Sequence, residues 1–332
     1  MTHKTRHEMS VDEFVEGIIG GRRDILSRAI TLIESSRQDH EEKAHAILDR
    51  CLGAGRRAVR IGITGSPGAG KSTFIESLGL EIVDAGLRVA VLAIDPSSAR
   101  SGGSILGDKA RMEKLSVRPE VYIRPTASSG YLGGTSPRTH ETILLCEAAG
   151  YDVIIVETVG VGQSEIVVNS MVDFILLLML PGSGDELQGI KRGIMEIADT
   201  VAITKADGER SGIADISRSD FEAALRLLPA KHVGWHRKVL LTSSLEGLGI
   251  REVWQNIGEF IGFMKETGGF DRQRREQLKL LLYTIAEDRL KREFFSRPAV
   301  ASARESVERD VLSGAISPFS GAMKLLDSFS KD

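Results

Sequence analysis

Cysteine is scarce: the 332 residues contain two, Cys51 and Cys146, far apart in the chain. Neither belongs to a Cys-x-x-Cys pair or a Cys/His cluster, which excludes a disulfide framework and argues against a zinc site. Two buried thiols in a reducing compartment are expected instead. Neither sign of charge dominates. Forty-three Lys and Arg stand against 46 Asp and Glu, a net charge of −3, and this leaves no basic footprint for nucleic acid. Long apolar runs are also missing. The longest, Phe174–Leu180, is followed by Pro181 and Gly182; it falls far short of the roughly 18 residues of a membrane span and reads as a buried strand. The N-terminal MTHKTRHEMSVDE has no apolar stretch of the kind a secretory signal needs. A cytoplasmic location is the expectation.

What the chain does have is 42% hydrophobic and 27% charged residues, ordinary for a globular protein. Helical patterns open it over Val11–Ile19, Asp24–Ser35 and Glu41–Leu52. From Val59 short apolar runs alternate with helical patterns: VRIGIT, RVAVLAID, VYIRPT, YDVIIVET, FILLLML, TVAITK and VLLTSS. Runs with so little internal polarity suit strands covered on both faces, and strands alternating with helices predict an α/β fold with a doubly wound, mostly parallel sheet. After Gly269 the strands stop. The segment that follows places Leu278, Leu281, Leu282 and Ile285 on one helical face, which suits packing on its own domain or on a second subunit. The expected organisation is a helical extension over 1–55, an α/β domain over 56–268 and a helical arm over 269–332.

GITGSPGAGKST carries G-x-x-x-x-G-K-[ST] as Gly65, Gly70, Lys71 and Ser72. An apolar run precedes it and a helical pattern follows, the context of a P-loop. The loop Gly65, Ser66, Pro67, Gly68, Ala69, Gly70 forms an anion cradle through its backbone N–H groups, which Pro67 alone lacks, together with the positive end of the next helix at Lys71–Thr73. Lys71 is placed for the terminal phosphates, and the Ser72 hydroxyl for Mg²⁺.

Further along, YDVIIVETVGVGQSE ends a strand on Glu157 and then presents Gly160. An acidic group at the carboxyl edge of an open sheet can hold the Mg²⁺ shell, and a glycine N–H there can sense a γ-phosphate. LAIDPSS ends a strand on Asp95, either a second carboxylate for the metal shell or plain turn chemistry. Asp108 reads first as a helix N-cap and second as a metal-shell residue. In PGSGDELQGIKRG, Ser183-x-x-Glu186 fits a capping box; Lys191 and Arg192 are a solvated helix face or a cation source for the phosphates. Val161 rather than Gln follows Gly160, with Gln163 further on, so slow hydrolysis is expected unless another group orients the water.

AITKADGE decides the base. Asp207 can accept two hydrogen bonds from the N1–H and 2-amino group of guanine, and adenine would leave it unpaired. The stem of Lys205 can cover the ring. Thr204 stands where guanine-binding proteins usually have Asn; it keeps a hydroxyl for bracing and lacks the amide, so weaker affinity with unchanged base choice is expected. Ser243, Ser244 and Leu245 follow the last apolar run, where a backbone N–H can meet the guanine carbonyl.

VRIGITGSPGAGKST, VLAIDPSS, SGGSILGDKARM, SSGYLGG, LCEAAGYDVIIVETVGVGQSE and MLPGSGDELQGIKRGI together resemble the MeaB/ArgK family of P-loop GTPases. The resemblance implies a GTPase, taking GTP to GDP with Mg²⁺, that acts as a chaperone of an adenosylcobalamin-dependent acyl-CoA mutase, most often methylmalonyl-CoA mutase. The mutase's adenosyltransferase is a further candidate partner. Such proteins gate cofactor loading and protect the mutase; they are homodimers through C-terminal helices and do not bind cobalamin through their own residues. The resemblance makes Asp95, Asp108 and Glu157 the magnesium or switch carboxylates, and Gly182–Arg192 an extra switch.

Three rivals remain. A small-molecule kinase of the arginine-transport type would need an acceptor pocket and a base, and nothing marks one. A nickel-insertion GTPase would carry His-rich tracts, whereas the seven histidines are scattered. A nonenzymatic binding module sits poorly with an intact Lys71, Ser72 and Glu157.

Overall fold

The computed structural model describes residues 9–35, 37–95, 112–127, 137–158, 168–182 and 192–330. Seven strands form one sheet: β1 (Val59–Gly65), β2 (Val89–Asp95), β3 (Val121–Ala127), β4 (Val153–Glu157), β5 (Phe174–Met179), β6 (Thr200–Ile203) and β7 (Lys238–Leu241). Their order is β3-β2-β4-β1-β5-β6-β7, and every pairing among them is parallel. The expected mostly parallel sheet is thus wholly parallel among the described residues. β1 lies between β4 and β5, so the chain leaves β1 at a point where connections diverge, and open α/β sheets place ligands there.

The alternation of side chains divides the interior into two cores. Ile154 and Val156 of β4 belong to one; Val153 and Ile155 belong to the other. The first core is covered by α1 (Val11–Ile19), α2 (Arg23–Glu34) and α3 (Gln38–Leu52), and by α6 (Pro137–Ala148), α7 (Arg192–Ile197) and α8 (Ser211–Leu227). The second is covered by α4 (Lys71–Asp84), the short α5 (Glu113–Ser116) and α9 (Ile250–Glu266). A capping box starts α1: Ser10 N–H donates to Glu13 Oε2 at 2.6 Å, and Glu13 N–H to Ser10 Oγ at 3.2 Å. Such a reciprocal pair satisfies donors the helix cannot. Cys51 and Cys146 are free and buried, and burial raises both thiol pKa values, that of Cys51 to about 11. They are inert core residues, as expected.

The amino edge of the sheet carries a cluster of buried charges that the apolar look of VRIGIT conceals. Arg60 of β1 grips Glu147 of α6 with Nε–Oε1 at 2.9 Å and Nη2–Oε2 at 2.7 Å. Arg274 donates from Nη2 to Asp173 Oδ2 at 2.7 Å and to Ala58 O at 2.8 Å, and from Nη1 to Glu147 Oε1 at 3.1 Å. The Arg60 N–H donates to Asp173 Oδ2 at 2.8 Å. Burial opposes the Glu147 charge, but the Arg60 hydrogen bonds and the two guanidiniums outweigh it and hold its carboxyl below the usual range. His140 of α6, 2% exposed, is pushed by burial, and then by Arg60 and Arg274, to a pKa of about 3; it is neutral.

The chain separates into two compact units, Met1–Arg274 and Arg275–Asp332. The division falls within α10 (Gly269–Ser296); α11 (Pro298–Leu312) and α12 (Pro318–Phe329) follow. The predicted helical tail is present. Its expected apolar face is not a closed seam, because Leu278 is 51% and Leu282 64% exposed.

Candidate nucleotide site

The motif loop begins where β1 ends. Gly65 is required by a close approach: a Cβ there would lie 2.3 Å from Leu178 O of β5, well inside van der Waals contact. Ser66 N–H donates to the same carbonyl at 3.3 Å. The loop turns through exposed Pro67 and Gly68 and returns at buried Ala69. Gly70, at φ 78°, is the N-cap of α4 and supplies no side-chain cap, so the first N–H groups of α4 stay directed at the loop.

Lys71 opens α4, and its Nζ donates to Gly65 O at 3.0 Å and Ser66 O at 3.4 Å. Burial lowers its pKa, and the Glu157 charge counteracts this. The register Ile63↔Glu157 brings the end of β4 beside the loop, and Ser72 Oγ donates to Glu157 Oε1 at 3.3 Å. Two residues that lie 85 apart in sequence thereby meet as a pair of oxygen donors. Hard oxygen donors suit Mg²⁺, which takes few protein ligands and completes its shell with water and phosphate. Ser66 Oγ is buried without a hydrogen-bond partner, a polar group aimed at no protein atom on the floor of the loop. The sequence singled out Ser66 but missed Thr64 and Thr158. Both have buried, unpartnered hydroxyls next to the same two strand ends, and no pattern in the sequence marks them. Thr73 is exposed on the first turn of α4.

The base-reading candidates gather at the ends of β6 and β7. Thr204 Oγ1 donates to Ala69 O at 2.8 Å, with Met179 O at 3.2 Å, and its N–H donates to Met179 O at 2.8 Å. The expected brace between this loop and the phosphate loop is present. Lys205 has φ 56°, and its Cε is 3.9 Å from where a Cβ on Gly70 would stand; its stem runs along the phosphate loop. The Ser243 hydroxyl donates to Asp207 Oδ2, and Glu246 N–H donates to Ser243 Oγ at 3.2 Å. Ser77 of α4 donates to Ser244 O at 3.4 Å, while Leu245 is 86% exposed. Gly160, Asp108, Lys191, Gln163 and the Ser183/Glu186 capping pair lie outside the described residues. Asp95 closes β2 and Arg192 opens α7; their side chains are likewise outside them.

Similarity to known proteins agrees with this geometry. The family described as methylmalonyl Co-A mutase-associated GTPase MeaB matches residues 26–299. A Mycobacterium bovis relative named "Probable GTPase" is 46% identical over 318 residues, 96% of this chain and 95% of its own length. The mitochondrial methylmalonic aciduria type A homolog of Mus musculus is 43% identical over 334 residues, 98% of this chain and 80% of its own. The crystal structure of an LAO/AO transport system kinase superposes with a TM-score of 0.75 at 35% identity, covering 98% of this chain and all of that one. A phosphate loop facing an acidic strand end and family likeness along nearly the whole length converge: the chain belongs to the MeaB family of P-loop GTPases.

Proposed function

We propose that this GTPase is Mg²⁺-dependent and serves as a chaperone of an adenosylcobalamin-dependent acyl-CoA mutase, methylmalonyl-CoA mutase first among them, gating cofactor loading and protecting or reactivating the enzyme. The observation that carries the catalytic half is the Ser72–Glu157 contact at 3.3 Å, which sets two oxygen donors beside Lys71. Mg²⁺ held by Ser72 and Glu157 would neutralise charge on the β- and γ-phosphates. Lys71, now donating to loop carbonyls, turns its ammonium to the terminal phosphates. The loop N–H groups and the start of α4 orient them. Asp207, aligned by Ser243, accepts from the guanine N1–H and 2-amino group, and backbone N–H groups around Ser244 and Leu245 meet its carbonyl. The mutase half is supported by the family's own description and by the mouse relative's name. We further place 1–55 as a helical extension, 56–268 as the GTPase domain and 269–332 as a dimerising arm. Exposed Leu278 and Leu282 favour the last. Among the described residues no helix is long and apolar enough to cross a membrane, in keeping with work in the cytoplasm.

The test is phosphate release from GTP by the purified chain, with Mg²⁺ or EDTA, alone and with a mutase. Faster turnover with mutase and none in EDTA is expected; equal turnover with and without mutase would sink the coupling. A kinase reading draws on the transport-system kinase structure. Transfer of the γ-phosphoryl group to arginine or ornithine, in place of free phosphate, would establish it.

A further inference from the structure

A purine presents two readable edges. Guanine shows donors at N1 and the 2-amino group on one, and the acceptor N7 on the other. Asp207 is an acceptor-only carboxylate oriented by the Ser243 hydroxyl, and it suits the first edge. Reading N7 requires a donor. Thr204, three residues before Asp207, stands where guanine-binding proteins usually carry an Asn amide that could supply one.

Its side chain has a single O–H proton. That proton points to Ala69 O at 2.8 Å, with Met179 O as the next acceptor at 3.2 Å, and Thr204 is 3% exposed. The backbone N–H of Thr204 is spent on Met179 O at 2.8 Å, and that of Ala206 on Thr242 O at 3.0 Å. Lys205 turns at φ 56° and carries its stem along Gly70, toward the phosphates. The hydroxyl of Thr204 has lone pairs left, but N7 is an acceptor and gains nothing from them. An amide side chain could brace the loop with its oxygen or nitrogen and still offer a second N–H; a hydroxyl that braces has no proton left.

We infer that this site leaves purine N7 unread, so that Thr204 sets a specificity in which guanine nucleotides altered at N7 are accepted as readily as GTP. This rests on the guanine reading above. The experiment is competition binding to the full chain with GDP, 7-deaza-GDP (N7 replaced by CH) and ADP, for the parent, Thr204→Asn and Thr204→Ser. The parent and Thr204→Ser, which keeps the hydroxyl, should bind 7-deaza-GDP within about twofold of GDP, while Thr204→Asn should show a 7-deaza penalty of roughly 3- to 10-fold, the scale of one neutral hydrogen bond. A parent that loses affinity for 7-deaza-GDP by that factor overturns the inference while leaving guanine selectivity intact. A folded Thr204→Asn with no penalty removes Thr204 as the determinant. ADP bound as tightly as GDP would instead overturn the guanine reading itself.

Discussion

Two groups of buried polar residues at opposite edges of the sheet differ in how far they are matched, although atoms without a hydrogen-bond partner, such as Glu120 Oε2, His140 Nε2 and Asn256 Nδ2, also lie away from the carboxyl edge. At the amino edge Arg60, Glu147, Asp173 and Arg274 are buried and matched against one another and against backbone. At the carboxyl edge Ser66, Thr64 and Thr158 hold buried hydroxyls with no partner, and Lys71 donates to the carbonyls of its own loop. Unmade hydrogen bonds in the interior cost stability, so they persist where another gain offsets them. The matched edge organises the fold. The other leaves hydroxyl protons unmatched beside the phosphate loop.

Three experiments press on this contrast. Arg274→Met should cost about 3–5 kcal/mol in denaturant unfolding, because it strands the buried Asp173 carboxylate, with GDP affinity of the folded protein unchanged. Joining it to Asp173→Leu should restore only part of the loss, because the buried Arg60 N–H then has no acceptor; a GDP affinity that falls with stability would break the division of labour. Lys71→Ala should lower GTP turnover by roughly 10²–10³-fold, as for loss of one charge-stabilising donor, and leave thermal unfolding near the parent's. A drop in melting temperature as large as that of Arg274→Met would place Lys71 among the fold's supports. The smallest effect is in pH. The folded His140 value lies at about 3 and the ordinary one at 6.5. The unfolded chain therefore takes up the proton first, so stability present above 6.5 is lost as pH falls toward 3. The loss between pH 7 and pH 5 is about 2 kcal/mol, and His140→Gln should flatten that part of the curve. Parallel curves for the two proteins would remove His140 from the account.

The strands were legible because a sheet covered on both faces makes near-continuous apolar runs, and the phosphate loop because its glycines and lysine are local. The strand order was not, since no short-range pattern says that β4 passes between β1 and β2. The Arg60 cluster escaped for a related reason. A lone Arg in VRIGIT looks like a strand's solvent-facing residue, and its partners lie 87 and 113 positions away. The hydroxyl of Thr204 is visible in the sequence, whereas the carbonyl it holds, Ala69 O, is 135 residues distant. For Asp207 the sequence supplied the residue and the structure supplied its neighbour, Ser243. The leucines of α10 were seen as one face, but periodicity cannot say whether a face is covered.

The contact at Gly65 sets a mechanical tolerance. Leu178 O leaves no room for one extra carbon at residue 65, and one residue later Met179 O takes the N–H of Thr204 and lies 3.2 Å from its hydroxyl. The last turn of β5 is thus a common jig on which phosphate loop and base loop are both seated. With no clearance on one side and hydrogen bonds on the other, neither loop can be shimmed alone. A change that moves the end of β5 under Gly65 should therefore also move the Thr204 loop.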